Sequence, residues 1–169
     1  MGQAFCMKRR DGDSGKSRPS AYDKALGLLA RREQSKRELR RKLGQGGYAT
    51  DEADEAVVRL SEQHYQDDER FAGMLLRNRA AQGYGPARIR MELKTHGLSD
   101  AAIRQLLDEC EVDWNVSAMN QLRRHYGGKA AADRAEQGKR AQFLLRRGFA
   151  AATVRYATHA EVDEADEET

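Results

Sequence analysis

The sequence carries an internal repeat of about 50 residues, and this repeat restricts the fold more than any other feature. Each copy is marked by a glycine followed by an aromatic or aliphatic residue: Gly47-Tyr48, Gly97-Leu98 and Gly148-Phe149. A leucine stands four residues before each of these glycines, at Leu43, Leu93 and Leu144. Copies of this length are near the lower size limit for an independently stable domain, so neighbouring copies are expected to stack in an array.

Within each copy, the spacing of apolar residues predicts α-helices. Apolar residues recur three and four positions apart, and no segment alternates with period two over the length of a strand. Helix starts are indicated by Ser20, Ser35 and Ser99 as caps and by Gly85-Pro86. The sequence therefore predicts an all-α fold, in which three tandem three-helix repeats stack into an elongated, curved array. We expect the repeats to span residues 20–66, 67–112 and 113–159.

The two ends of the chain have compositions typical of disordered segments. Residues 1–19 are predicted to be a disordered basic tail, and residues 160–169, which contain EVDEADEET, a disordered acidic tail. No run approaches the ~20 apolar residues of a membrane span, and the N-terminus lacks the apolar stretch of a signal peptide. A cytoplasmic location is therefore expected. Cys6 and Cys110 have no metal-ligand spacing and are expected to be ordinary thiols.

The stretch YQDDERFA places three acids, Asp67, Asp68 and Glu69, directly before an apolar helix. Acids at the start of a helix accept hydrogen bonds from its free N–H groups and complement its dipole, which requires no metal. A nuclease could instead use the same carboxylates to hold a divalent ion. We favour helix capping, because the sequence brings no further carboxylates or histidines together with them.

The sequence shows no carrier of catalytic chemistry. The four histidines are scattered and are expected to be solvated: His64, His96, His125 and His159. The glycines of QGYGPA fit a connection between helices better than a nucleotide-binding loop, and neither a phosphate-binding loop nor a nucleophile motif occurs. We therefore predict a protein that is not an enzyme and has no cofactor and no metal site.

Three segments carry a family resemblance: YQDDERFA and RNRAAQGYGPARIRMELKTHGLSDAAI in the second repeat, and SKRELRRKLGQGGY in the first. They resemble the RecX family of recombinase regulators, and the third repeat is a looser match. The resemblance implies a protein that binds the RecA filament in its helical groove, across neighbouring protomers, in DNA repair, recombination and the SOS response. It also implies that binding restrains ATP hydrolysis, strand exchange and the filament's stimulation of repressor cleavage.

Basic residues are concentrated in the first and third repeats, although the net charge is only +3. Residues 1–46 carry 13 lysines and arginines against 5 acids, and residues 123–160 carry 9 against 2. If equivalent helices line one side of the array, these side chains form a discontinuous basic track facing acidic protein surface, phosphates or both. The candidate partner-binding residues are Lys36, Arg37, Arg40, Arg41, Arg88, Arg90, Lys94, Arg123, Arg124, Lys139, Arg140, Arg146 and Arg147. Arg140 departs from the repeat, because Leu39 and Ile89 occupy its position in the other copies.

A helical DNA-binding protein of helix-turn-helix type is the alternative, because a three-helix unit can carry a recognition helix. In the first repeat, however, the third helix is acidic, with Asp51, Glu52, Asp54 and Glu55, and phosphates would repel it. Weak, sequence-independent contact with DNA remains compatible with the basic residues. No exposed heptad seam is visible, so a monomer is expected.

Overall fold

The structure is a computed structural model that describes the backbone of residues 18–167 and the side chains of residues 18–159. Over this range the chain forms nine α-helices and no strand. The helices are α1 (Ala21–Leu29), α2 (Lys36–Gln45), α3 (Thr50–Glu62), α4 (Asp68–Ala81), α5 (Pro86–Thr95), α6 (Asp100–Glu109), α7 (Trp114–Tyr126), α8 (Arg134–Arg146) and α9 (Ala151–Glu167). Consecutive helices pack in threes, so the predicted all-α repeat array is confirmed.

Each unit encloses its own small apolar core, built from side chains three and four positions apart on its helices. In the first unit, Leu39 and Leu43 of α2 pack against Val57 and Leu60 of α3, all fully buried. The second unit buries Phe71, Leu75, Leu76, Ile89, Leu93 and Ile103. The third unit buries Ala118, Leu122, Leu144, Phe149, Val154 and Ala157. Trp114 packs against both the second and the third core, so it bridges these two units.

The repeated glycine ends the second helix of each unit. Gly47, Gly97 and Gly148 have φ angles of +82°, +89° and +89°, a left-handed conformation that glycine adopts without strain. The residue after each glycine donates its N–H to the carbonyl of the repeated leucine: Tyr48 to Leu43 at 3.1 Å, Leu98 to Leu93 at 3.4 Å and Phe149 to Leu144 at 3.2 Å. This is the Schellman motif, which explains why leucine, glycine and an apolar residue recur together.

Serine side chains cap the N-termini of two helices in the first unit and of one helix in the second. The hydroxyl oxygens of Ser20, Ser35 and Ser99 accept hydrogen bonds from N–H groups three residues later, at 3.0, 3.1 and 3.2 Å. The predicted caps of α1, α2 and α6 are therefore confirmed. Helix α3 differs, because its cap residue is Ala49 and no side chain caps it.

The predicted tails fall only partly within the described residues. Residues 1–17 lie outside them, whereas Pro19 contacts the first unit by accepting a hydrogen bond from the Tyr48 hydroxyl at 2.7 Å. At the other end, the backbone of α9 is helical through Glu167, beyond the expected limit of the third repeat. The sequence has no glycine or proline between Ala151 and Glu167 that would end this helix. The disorder of residues 160–169 stays a prediction.

Candidate partner-binding surface

The acidic run at the start of α4 has two separate roles. Asp67 caps α4, because its Oδ1 accepts hydrogen bonds from the N–H groups of Glu69 at 2.8 Å and Arg70 at 3.1 Å. These bonds, chiefly that from Arg70, hold the pKa of the Asp67 carboxyl below its ordinary value. Asp68 instead reaches the first unit, where its Oδ1 accepts a hydrogen bond from the N–H of Lys36 at 3.0 Å. Capping is confirmed for Asp67, whereas Asp68 caps a helix of the neighbouring unit.

Buried polar side chains extend this contact between the first and second units. Gln66 is buried and donates from Nε2 to Asp68 Oδ1 at 2.8 Å and to the carbonyl of Gln34 at 3.2 Å. The buried hydroxyl of Ser35 lies 2.9 Å from Nδ1 of His96. Because buried polar groups are costly when left unpaired, these hydrogen bonds favour one relative position of the two units.

His96 belongs to this junction, and the prediction that it is solvated is wrong. Its ring is half-buried against Phe71, with ring centroids 4.7 Å apart. Burial lowers the pKa of His96, and the opposing effect of the Glu38 and Glu92 carboxylates is smaller. The neutral ring is therefore the form that fits this junction.

A second junction joins the second and third units through backbone groups. The N–H of Gly85 donates to the carbonyl of Arg147 at 2.8 Å, and the N–H of Ala87 donates to the carbonyl of Gly148 at 3.0 Å. The approach is so close that a Cβ added to Gly85 would lie 2.4 Å from backbone atoms of Gly148 and Phe149. The glycine in GPA is therefore required for contact between two units.

Arg147 strengthens the same junction. Its guanidinium donates to the carbonyls of Gln82 at 3.2 Å and Gly83 at 3.3 Å, and it lies 5.4 Å from the centre of the Tyr84 ring. Gly83 has a φ of +80°, and a Cβ there would overlap the Gln121 side chain. The QGYGPA stretch is thus a connection between α4 and α5, as predicted. It is also the surface against which the third unit packs.

The candidate basic residues of the first unit lie along α2. Arg37, Arg40 and Arg41 are exposed, and Lys36 is half-buried. Arg40 forms a salt bridge of 2.5 Å with Asp54 of α3. Within the described range, no ion pair engages Arg37 or Arg41, and Arg41 donates one hydrogen bond to the neutral Gln45 side chain at 3.2 Å. The charge of both guanidinium groups is therefore available for an acidic partner.

In the second unit the candidate basic residues lie on α5. Arg88 is exposed and its guanidinium carbon lies 4.6 Å from the centre of the Tyr84 ring. Arg90 is half-buried. Lys94 forms a 2.7 Å salt bridge with Asp100, and its hydrogen bond holds the pKa of that carboxyl below the ordinary value.

In the third unit the candidate side chains of Arg123, Arg124, Lys139 and Arg146 are exposed. Arg140 is not, and we remove it from the candidate set because it is only 1% exposed. Its guanidinium donates to the carbonyl of Lys129 at 2.6 Å and to Glu136 at 2.7 Å, and it lies 4.6 Å from the centre of the Tyr126 ring. Arg140 therefore fills the core position that Leu39 and Ile89 occupy in the other units.

The structure brings only some of the candidate residues together. Arg88 and Arg146, from different units, line one groove between α5 and the end of α8. Arg124 lines another groove together with Arg77, which is not among the candidate residues. A continuous basic track along all three units remains a prediction.

The described residues contain no group of three or more histidine, cysteine, aspartate or glutamate side chains that could hold a metal ion. None of the helices in this part of the chain combines the length and apolar character needed to cross a membrane.

Comparison with known proteins relates all three units to one family. The family models described as the first, second and third three-helix domains of RecX match residues 21–60, 67–107 and 116–158. The chain is 45% identical over 141 residues to "Regulatory protein RecX" of Xanthomonas campestris pv. campestris (strain B100), covering 83% of this chain and 87% of the relative. The protein of the same name from Stenotrophomonas maltophilia (strain K279a) is 45% identical over 141 residues, covering 83% and 86%.

Solved structures agree with this relationship at the level of the fold. The crystal structure of a regulatory protein RecX has a TM-score of 0.70 at 21% identity and covers 82% of this chain and 70% of that one. The crystal structure of RecX from Lactobacillus salivarius has a TM-score of 0.65 at 23% identity, with coverage of 86% and 94%. With matches to all three family domains and a relative 45% identical over most of both chains, this protein belongs to the RecX family.

Proposed function

We propose that this chain binds the RecA recombinase filament and regulates it, mainly by inhibiting its ATPase, strand-exchange and coprotease activities. The observation that carries the proposal is that the chain belongs to the RecX family through all three units. We also propose that it acts as a monomer in the cytoplasm and has no catalytic activity of its own. Its role in DNA repair and recombination would then follow from the filament that it binds.

The distribution of charge supports binding through α2 and the third unit. Arg37 and Arg41 are exposed on α2, and Arg124, Lys139 and Arg146 are exposed on α7 and α8. Cations on separate units can meet repeated acidic surfaces on successive filament subunits, which increases the rate and the specificity of association.

The two junctions support regulation by a stiff binding partner. Hydrogen bonds from Lys36 to Asp68 and from Gly85 to Arg147 hold neighbouring units in one relative position. A ligand that contacts several subunits with fixed spacing binds best to one filament geometry, and so shifts the filament toward it. ATP sites located between subunits would change activity with that geometry.

Direct DNA binding of helix-turn-helix type is less well supported. The third helix of the first unit, α3, exposes Asp51, Glu52 and Glu55, and its Asp54 pairs with Arg40. An acidic helix of this kind is repelled by the phosphates that flank the major groove.

The test is the ATPase rate of a RecA filament on single-stranded DNA as the protein is titrated in, with DNA binding by the protein alone measured at the same salt concentration. We expect inhibition at amounts of protein well below the amount of RecA, in salt at which the protein alone hardly binds DNA. Inhibition that begins only when the protein coats the DNA would contradict the proposal and favour competition for DNA.

Charge reversal identifies the surface that binds. The double variant Arg37→Glu and Arg41→Glu should weaken inhibition by about tenfold or more, because two attractive charges become repulsive. Arg104→Glu combined with Arg155→Glu is the matched control, since both arginines are exposed on α6 and α9, outside the candidate set. Equal inhibition by the double variant and the control would remove α2 from the proposed surface.

A further inference from the structure

A groove of about 780 Å³ lies where the second and third units meet. The second unit provides one wall through α5 and the end of α4, and the third unit provides the other through the end of α8 and the turn that follows. The side chains that determine its chemistry are Arg79, Arg88, Met91, Glu92, Leu145 and Arg146. Because both units contribute, the groove exists only when the junction between them is formed.

The groove exposes two large apolar side chains. Met91 is 70% exposed, the highest value among the large exposed hydrophobic residues that the structure describes, and Leu145 is 50% exposed. Neither side chain belongs to the apolar core of its own unit. Two such side chains facing one groove are typical of a surface that another molecule covers.

The charged side chains of the groove leave it positive. Glu92 is paired with Arg79 through two hydrogen bonds of 2.7 and 2.6 Å, and this pairing lowers the pKa of the Glu92 carboxyl. Arg88 and Arg146 are exposed, and no carboxylate of the described residues forms a salt bridge with either of them. The groove therefore combines two exposed apolar side chains with two cations that form no salt bridge among the described residues.

The groove is held in shape by the junction. Gly85 and Ala87 donate backbone hydrogen bonds to the carbonyls of Arg147 and Gly148, and a Cβ on Gly148 would lie only 2.6 Å from the N–H nitrogen of Arg88. A ligand that enters a groove already formed does not have to order it, which leaves more of the contact energy for binding.

We infer that this groove is the docking site for an acidic segment of the filament protein that also carries an apolar side chain. The apolar side chain packs between Met91 and Leu145, and flanking carboxylates pair with Arg88 and Arg146. The inference rests on the proposed function and adds to it the place and the chemistry of one contact.

A protein segment fits the groove better than single-stranded nucleic acid. Nucleic acid would need exposed aromatic faces on which bases stack. The aromatic residue that lines the groove is Tyr84, and the guanidinium groups of Arg88 and Arg147 lie 4.6 and 5.4 Å from its ring centre. The groove instead offers the apolar side chains of Met91 and Leu145, which suit a leucine, isoleucine, valine or phenylalanine side chain.

The experiment measures binding of the full chain to RecA filaments assembled on single-stranded DNA with a slowly hydrolysed ATP analogue. The double variant Met91→Glu and Leu145→Glu should bind about tenfold or more weakly, because it removes the apolar contact and adds repulsive charge. The matched control is Val58→Glu with Tyr156→Glu, since these side chains are 48% and 53% exposed and lie outside the groove. The control should bind within about twofold of the unmodified chain.

A second pair of variants covers the case in which the first double variant does not fold. Arg88→Glu with Arg146→Glu should weaken binding by a similar factor, whereas Arg104→Glu, an exposed arginine of α6 away from the groove, should not. A photoreactive phenylalanine derivative in place of Met91 should form a cross-link to a segment of RecA that is rich in acidic residues.

The outcomes separate this inference from the proposed function. If the unmodified chain binds the filament but both groove variants bind as strongly as it does, the inference is wrong and the proposed function stands. Cross-links from position 91 only to DNA or to a second copy of the chain would also overturn the inference. If the unmodified chain does not bind the filament at all, the proposed function fails, and the inference fails with it.

Discussion

Replacing Gly85 by alanine should separate the second and third units while leaving their individual cores intact. The added Cβ would lie 2.4 Å from the carbonyl carbon and oxygen of Gly148 and from the N–H nitrogen of Phe149. All three are backbone atoms that cannot move aside by rotating a side chain, so α5 must shift relative to the third unit. The φ of Gly85 is −84°, which alanine adopts readily, so the effect would come from crowding alone.

The expected loss of stability follows from the contacts that this shift would break. Two backbone hydrogen bonds cross the junction, from Gly85 to Arg147 at 2.8 Å and from Ala87 to Gly148 at 3.0 Å. Each is worth ~1 kcal/mol net, and crowding in a packed site adds ~1 kcal/mol or more, for a total of about 3 kcal/mol. With a denaturant slope of ~2 kcal/mol per molar urea, the unfolding midpoint should fall by about 1.5 M.

Urea unfolding followed by circular dichroism measures this change, and hydrogen exchange of the Ala87 amide reports on the junction itself. Gly138→Ala is the control, because Gly138 is a helical residue of α8 whose added Cβ would meet nothing within 4 Å. There alanine should stabilise the chain by up to ~1 kcal/mol, a change of the opposite sign. An unchanged midpoint and unchanged exchange protection for Gly85→Ala would refute the reasoning that close backbone approach holds the junction.

Three further predictions concern single side chains. Asp68→Ala should cost about 1–3 kcal/mol, because it leaves the N–H of Lys36 without its acceptor and removes one of the two acceptors of the buried Gln66 amide. Glu69→Ala, at an exposed position, should change stability by no more than ~0.5 kcal/mol in urea unfolding. The pKa of His96 is lower in the folded chain than its ordinary value of 6.5, so the unfolded chain binds the proton more readily. Stability should therefore decrease as the pH falls below 6.5 and toward the lower pKa of the folded chain. The decrease over this range should be smaller in His96→Gln, and an equal slope in both proteins would contradict the assignment. Arg140→Ala should lower the free energy of unfolding by about 2–3 kcal/mol, because Arg140 is buried. The same change at its exposed neighbour, Lys139→Ala, should alter it by no more than ~0.5 kcal/mol. Under conditions in which Arg140→Ala is folded, the filament affinity of this variant should be unchanged.

Much of each unit could be predicted because it depends on interactions between residues close in sequence. The serine caps bond to N–H groups three residues later, and the glycine turns return an N–H to a leucine carbonyl five residues earlier. The core leucines recur with the period of the helix, so their burial also followed from spacing. Even the departure of Arg140 from the repeat was visible, although its consequence, a buried guanidinium, was not.

The candidate surface was harder to predict, because the sequence does not show which charges are already paired. Arg40 and Lys94 were selected as cations for a partner, yet they form salt bridges with Asp54 and Asp100 of their own units. Met91 was missed, because a single methionine on a helix gives no sign that it faces a groove.

The sequence by itself determined that this chain forms three similar three-helix units of the RecX family, because helix starts, helix ends and apolar stripes are local properties. Only the tertiary structure decided how the units meet. Asp68 caps a helix that begins 32 residues earlier, His96 bonds to a serine 61 residues away, and Gly85 touches Gly148. Such contacts depend on the relative position of whole units, which no spacing along the chain encodes, and the groove that Met91 and Leu145 share exists only because of them.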